Sequence, residues 1–369
     1  MILVTYKESI LTAIDRVSKI VKSNPRAVDI LQCVQLETYG NEVYMVATSP
    51  MASARVLISD AKVGEPGKAI INLDRLKDRV SKAADSMRIE TDQKMMKIVS
   101  SSDQKLGLVL NDAREYPEIE WSITEESYGL VKSEFINLLQ TSHSITSSTT
   151  ALTPAFLQVQ IADQVLWVAN GVTYQKFPIH CNPELTSTIP TATLASLASF
   201  IKESEGDTVW LSQQSEDSVV VTVGQDQYQA VPLAIGFPDL GTIFDRTKVL
   251  TPHELNVSRS ELLAELSKAK TSVDSFGKVT LTLSEGAKTR ISIQAKADNG
   301  DWFESAIVGI WSGGHSRELT FNLESLVKFI QSFKTDRIQM HIGDDSKGDV
   351  SPIYCVEGDR VGILNQFKV

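Results

Sequence analysis

Asn41-Glu42-Val43-Tyr44-Met45-Val46-Ala47-Thr48 and Asp163-Gln164-Val165-Leu166-Trp167-Val168-Ala169-Asn170 answer each other residue type for residue type. Each reads as the second strand of a hairpin. In the first copy, Ile30 to Glu37 is the preceding strand, joined through the turn-type Tyr39-Gly40-Asn41. In the second copy, Phe156 to Ile161 takes that place with the same apolar-polar alternation. Two copies of one hairpin in one chain point to duplication, and the flanking residues extend the match.

Before the first hairpin, Ile10, Ile14, Val17 and Val21 recur at helical spacing, opposed by polar Thr12, Asp15, Arg16, Lys19 and Lys22. After it, Asn72 caps a second amphipathic segment through Leu73, Leu76, Val80 and Ala83, followed by strands at Ser86 to Thr91, Met95 to Ser100 and Leu106 to Leu110. The unit closes at Tyr116-Pro117-Glu118-Ile119. The same order restarts at Ser133, continues through a helix at Leu194, Leu197, Ala198 and Ile201, and closes at Phe237-Pro238-Asp239-Leu240. A third copy starts at Ser258, with strands Val279 to Leu283 and Arg290 to Ala295 and a helix through Leu323, Leu326, Val327 and Ile330. The chain is therefore α+β, three tandem repeats of roughly 120 residues, with predicted domains at 1–122, 129–247 and 252–369. The segments Ser122 to Tyr128 and Thr247 to Leu255 read as short polar joints.

At 369 residues, 42% hydrophobic and 22% charged, the chain has the composition of folded globular domains. It shows no leader-like N-terminus and no apolar run long enough to span a membrane, which predicts a cytoplasmic protein without membrane attachment. Cys33, Cys181 and Cys355 read as core residues of a reducing compartment. The five histidines form no metal-ligand pattern, and no phosphate-binding glycine loop or nucleophile elbow is present. No enzyme activity, metal or cofactor is predicted. Gly343 to Asp349 and Asp298-Asn299-Gly300-Asp301 read as hairpin turns, and Ser312 to His315 as a loop.

The three repeats with these closing motifs, together with Phe321-Asn322-Leu323 opening the last helix and Trp121 after the first closure, resemble the bacterial-type DNA polymerase III β subunit, the β sliding clamp. The resemblance covers essentially the whole chain, in organisation more than in identity. It implies the DNA-clamp fold, with helices lining a hole, antiparallel sheets outside, and two chains closing head to tail as a six-domain ring. The implied function is a non-catalytic processivity factor that encircles double-stranded DNA without reading sequence and docks polymerase, clamp loader and other DNA-processing proteins through short linear peptides. The alternatives are a repeat scaffold that binds only proteins, without a hole for DNA, and an enzyme whose site is built from unrecognised loop residues.

A net charge of −10 argues against a simple nucleic-acid binder, but a ring needs positive charge only on its lining. The helix faces supply Arg16, Lys19, Lys22, Arg75, Arg79, Lys82, Lys202, Lys268, Lys328 and Lys334, with Arg26 in the loop after the first helix. For any one of them a solvated helix face is the alternative. The resemblance places the dimer contact at Leu106, Leu108 and Val273, for which ordinary core packing is an equal alternative. It places the partner-peptide pocket at Asn170, Val172, Tyr174, Pro238, Ile243, Leu364, Asn365 and Phe367. The family's usual Thr-Asp-Gly-His-Arg-Leu and Met-Pro-Met-Arg-Leu stretches are replaced here by Asn170 to Gln175 and Leu364 to Val369, which predicts an altered peptide preference.

Overall fold

Apolar residues at helical spacing bury one side of the first helix, α1 (Lys7–Val21), where Ile10, Ile14, Val17 and Val21 are all buried over strands Glu42–Thr48 and Ala52–Leu57. The structure, a computed structural model, describes residues 1–21, 29–92, 94–102, 104–121, 128–147, 153–213, 218–285, 288–343 and 351–367. Lys22, Arg26 and most of the turn read at Gly343 to Asp349 lie outside them. The next strand begins later than the sequence suggests, at Cys33–Tyr39, because Asp29–Gln32 winds into a short 3-10 turn. Asn72 caps α2 (Leu73–Lys82) as expected, its side chain accepting the Arg75 N–H at 3.1 Å.

The chain divides into two compact units, residues 1–139 with 180–233 and residues 140–179 with 234–369. In the first unit, α1 lies against both α2 and α4 (Leu194–Glu203). An eight-stranded antiparallel sheet runs in the order Gly129–Val131, Thr208–Gln213, Val219–Val223, Asp226–Ala230, Ala52–Leu57, Glu42–Thr48, Cys33–Tyr39, Lys68–Asn72. A five-stranded sheet runs Lys62–Glu65, Ile2–Tyr6, Ser86–Thr91, Met95–Ser100, Lys105–Val109. The helix α3 (Lys132–Thr146) opens the second repeat.

In the second unit, α6 (Arg259–Ala269) and α7 (Leu323–Gln331) pack side by side over one sheet, burying Leu262, Leu266, Leu326, Phe329 and Ile330 against Val279, Leu281 and Ile293. Strand Arg360–Leu364 runs beside the α7 aromatics, and Gly362 makes that approach possible: a Cβ there would lie 2.6 Å from Phe329 Cε2. The turn at Asp298 to Asp301 forms as read, between Lys288–Lys296 and Trp302–Trp311, with Gly300 at φ 93°. The polar joint read at Thr247 to Leu255 is a correction. Leu240–Leu250 forms a helix, α5, whose N-cap Asp239 accepts the Thr242 N–H, and His253–Ser258 is already a strand. Cys33, Cys181 and Cys355 are free and buried.

The two units repeat one junction. In the first, the last strand of repeat two pairs with a strand of repeat one, from Gln227↔Arg55 to Ala230↔Ala52. In the second, the last strand of repeat three pairs with the equivalent strand of repeat two, from Thr173↔Leu364 to Lys176↔Val361. Each junction makes one continuous sheet from two repeats.

Candidate DNA-facing helices and partner pocket

The polar sides of α1, α2 and α4 carry the basic residues, but few of these are free. Lys77, on α2, reaches Asp15 of α1 at 2.6 Å. Lys82 bonds Asp78 one turn earlier, also at 2.6 Å, which holds the Asp78 carboxyl below the usual carboxylate range, and Arg79 lies 3.9 Å from the same Asp78. Lys19 spans from α1 to α4, pairing with Glu203 and donating to Ser199 Oγ at 2.8 Å. In the second unit, Lys268 pairs with Glu265 at 2.6 Å and Lys328 with Glu324 at 2.7 Å. Arg75, Lys202 and Lys334 are exposed and have no carboxylate within ion-pair distance among the described residues.

Arg16 is a correction. It lies on the polar stripe of α1, yet it is buried: its Nη2 donates to Asp226 Oδ2 and Ser204 Oγ, both at 2.6 Å, and its guanidinium sits over the Phe200 ring. Asp226 uses its other oxygen to accept the Leu57 N–H at 2.9 Å. Arg16 therefore fastens the first junction and presents no charge to solvent.

The five-stranded sheet ends on Lys105–Val109, whose outer edge makes no ladder bonds among the described residues. Leu106 is half-buried and Leu108 is buried beside Met96 in its own sheet, so the side chains this edge shows to water are Lys105 and Val109, the latter 60% exposed. Leu108 is thus core in the single chain. Val273 is half-buried in a groove of about 750 Å³ lined also by Leu263, Leu323 and Val327, beside Phe276, which is 71% exposed.

The segment expected to form the partner pocket is built on a turn. Asn170 Oδ1 accepts the N–H groups of Val172 (2.9 Å) and Thr173 (2.7 Å), while its Nδ2 donates to the Ile145 carbonyl at 2.7 Å. Gly171 takes φ 89°, and Tyr174 turns its hydroxyl back to the Gly171 carbonyl at 3.2 Å. Burial pushes the Tyr174 phenol up, with Asn365 opposing in part. Asn365 donates its N–H to Val172 O at 2.9 Å, and Phe367 donates its N–H to Thr320 O at 2.8 Å, tying the tail down. Tyr174 and Ile243 meet in one apolar cluster with Phe156, Trp167, Phe237 and Phe244. Phe156 stands edge-on to Tyr174 at 6.0 Å and Trp167 to Phe244 at 5.6 Å. Pro238 is half-buried next to Phe237. Leu364, by contrast, is fully buried in the α6–α7 core with Val172 packed against it, so Leu364 is no pocket wall.

Residues 1–120 match the family model for the DNA polymerase III beta subunit, N-terminal domain. Over its full length the chain superposes on the DNA polymerase III subunit beta of Pseudomonas aeruginosa with a TM-score of 0.81 at 17% identity, covering all of both chains. The Bacillus subtilis sliding clamp gives 0.82 at 15%, covering 100% of this chain and 99% of that one, and a Pseudomonas aeruginosa sliding clamp bound to griselimycin gives 0.78 at 16% with both chains fully covered. No curated protein sequence matches the chain. The whole chain has the fold of the bacterial DNA polymerase III β subunit, and its first third matches that family's N-terminal domain. It has the sliding-clamp fold, and no helix among its described residues is long and apolar enough to cross a membrane.

Within that clamp fold, sequence reading missed the aromatic cluster packed around Tyr174 and Ile243. Phe156, Trp167, Phe244 and Tyr354 come from four separate elements and Phe237 from the segment leading into α5. The available signal was the Phe237-Pro238-Asp239 motif followed by Leu240, Ile243, Phe244 and Thr247, which is a capped amphipathic helix.

Proposed function

We propose that two copies of this chain close into a ring around duplex DNA and act as a non-catalytic sliding clamp that tethers a DNA polymerase. The observation that carries this reading is the repeated strand junction. Each junction joins the last strand of one repeat to an equivalent strand of the repeat before it, and two are used within the chain. One strand of each kind is left over: Lys105–Val109 is an open edge, and Trp302–Trp311 is paired on that side only from Gly309 to Trp311. A third junction between chains would use both, and two such contacts close a two-fold ring without a free edge. Exposed Val109 and Phe276 supply apolar surface at the two ends, with Leu106, Leu108 and Val273 behind them.

The aromatic cluster around Tyr174 and Ile243 is the docking site for polymerase and loader peptides in this reading, since a half-buried apolar cluster beside backbone turns suits an extended peptide with one or two apolar anchors. The bound griselimycin of the Pseudomonas aeruginosa clamp supports ligand docking on this fold. Sedimentation velocity tests the assembly. The wild type sediments as a dimer at micromolar concentration, and Val109→Asp combined with Phe276→Asp, both at exposed positions, gives a folded monomer; a monomeric or trimeric wild type contradicts the ring.

A further inference from the structure

Three lysines on the helix layer of the first unit are neutralised by carboxylates of the same layer. Lys77 is held by Asp15, Lys82 by Asp78 and Lys19 by Glu203. All three pairs are open to solvent, and the second unit repeats the arrangement with Lys268–Glu265 and Lys328–Glu324. The buried pair Arg16–Asp226 lies beneath this surface and serves the junction instead. A cation already matched by a carboxylate releases few counterions when a phosphate arrives, because its charge was not free. Exposed pairs are weak and exchange readily, so a passing phosphate can replace the carboxylate and be replaced by it in turn.

We infer that Asp15, Asp78 and Glu203 act as built-in phosphate mimics that keep the DNA-facing helix layer nearly neutral, so that the duplex is held by topology and only loosely by charge. This rests on the reading that duplex passes over these helices. Arg75 and Lys202, which have no such partner among the described residues, then make the persistent phosphate contacts. The consequence is unusual for a DNA-binding surface: removing acidic residues slows the protein on DNA, and the lysines they cover are the ones released.

The test is the combined variant Asp15→Asn, Asp78→Asn, Glu203→Gln, compared with wild type for binding to a short fluorescent duplex across a salt series. Each substitution is at an exposed position, and a thermal melt confirms the fold. Three freed lysines steepen the log–log salt dependence by about 2 to 3, at roughly 0.9 per phosphate contact, and tighten binding at low salt. Arg75→Ala with Lys202→Ala moves binding the other way. Equal slopes for wild type and the carboxylate variant, or weaker binding by the variant, overturn the inference. Retention of the same proteins on closed circular against linear DNA reports encirclement separately. Loss from linear DNA with unchanged salt slopes sinks the charge inference alone; equal retention on both forms sinks the ring.

Discussion

Arg16 and Asp226 meet at 2.6 Å although 210 residues separate them, and both are buried. The pair joins α1 of the first repeat to the last strand of the second, where the two sheets become one. Removing one partner leaves the other charged and desolvated, which costs about 3–5 kcal/mol. Asp226→Ala therefore lowers unfolding free energy by that order in urea melts. A loss below about 1 kcal/mol, the range of exposed pairs, would show that the junction does not depend on it.

A second stability prediction concerns Gly362. A side chain there meets Phe329 at 2.6 Å and Phe333 at 3.0 Å, so Gly362→Ala forces the strand away from α7 and costs about 1–3 kcal/mol by overpacking. Differential scanning calorimetry reads the drop in Tm. An unchanged Tm would mean that the aromatic pair has room to yield.

Alkaline pH probes the first unit's core through Tyr228. Burial raises its phenol from the ordinary 10 to about 12, and its hydroxyl shares a 3.0 Å hydrogen bond with Ser196. The folded state thus keeps a proton that the unfolded chain gives up. The stabilisation is complete below pH ~10 and is lost as pH rises from there through about 12. Denaturant melts across that window should show falling stability, and Tyr228→Phe should fall less steeply. Identical slopes for the two proteins would place the alkaline loss elsewhere.

The proposed docking site is tested from two sides. Phe244→Ala and Ile243→Asp reduce the apolar cluster, and deletion of residues 365–369 removes the backbone bonds of Asn365 to Val172 and of Phe367 to Thr320. Both changes weaken binding of a labelled polymerase-tail peptide, which in the wild type has a Kd on the order of micromolar. Fluorescence anisotropy measures it, beside a sizing run in which the dimer persists. Unchanged affinity in both variants would mean that partners dock away from this cluster.

How far these features can be read in the sequence follows the range of the interactions that make them. The helix cap at Asn72, the helix start at Ser258 and the strands Ser86–Thr91 and Met95–Ser100 are visible because local spacing and capping decide them. The repeat order is visible for the same reason. Arg16 misleads because its polar position on α1 is covered by the second repeat, a contact no local pattern encodes. The helix Leu240–Leu250 hides behind Pro238 and the polar Asp245, Arg246 and Lys248, which resemble a linker. Leu364 misleads in the opposite sense: on its strand Val361 and Ile363 face the Tyr174 cluster, while Leu364 turns into the α6–α7 core. Side chains assembled from distant strands, such as Trp167 and Tyr354 beside Phe244, become a site only after folding.

Encirclement of duplex DNA is the property on which the proposed clamp function rests. The most direct measurement loads the labelled protein with its cognate loader onto nicked circular DNA, then linearises half of the sample and follows protein retained on DNA by gel filtration. The ring predicts retention on the circle and rapid loss through the ends of the linear form, with little change at salt concentrations that abolish ordinary phosphate contacts. Equal retention on both forms, or salt-driven loss from the circle, would contradict it.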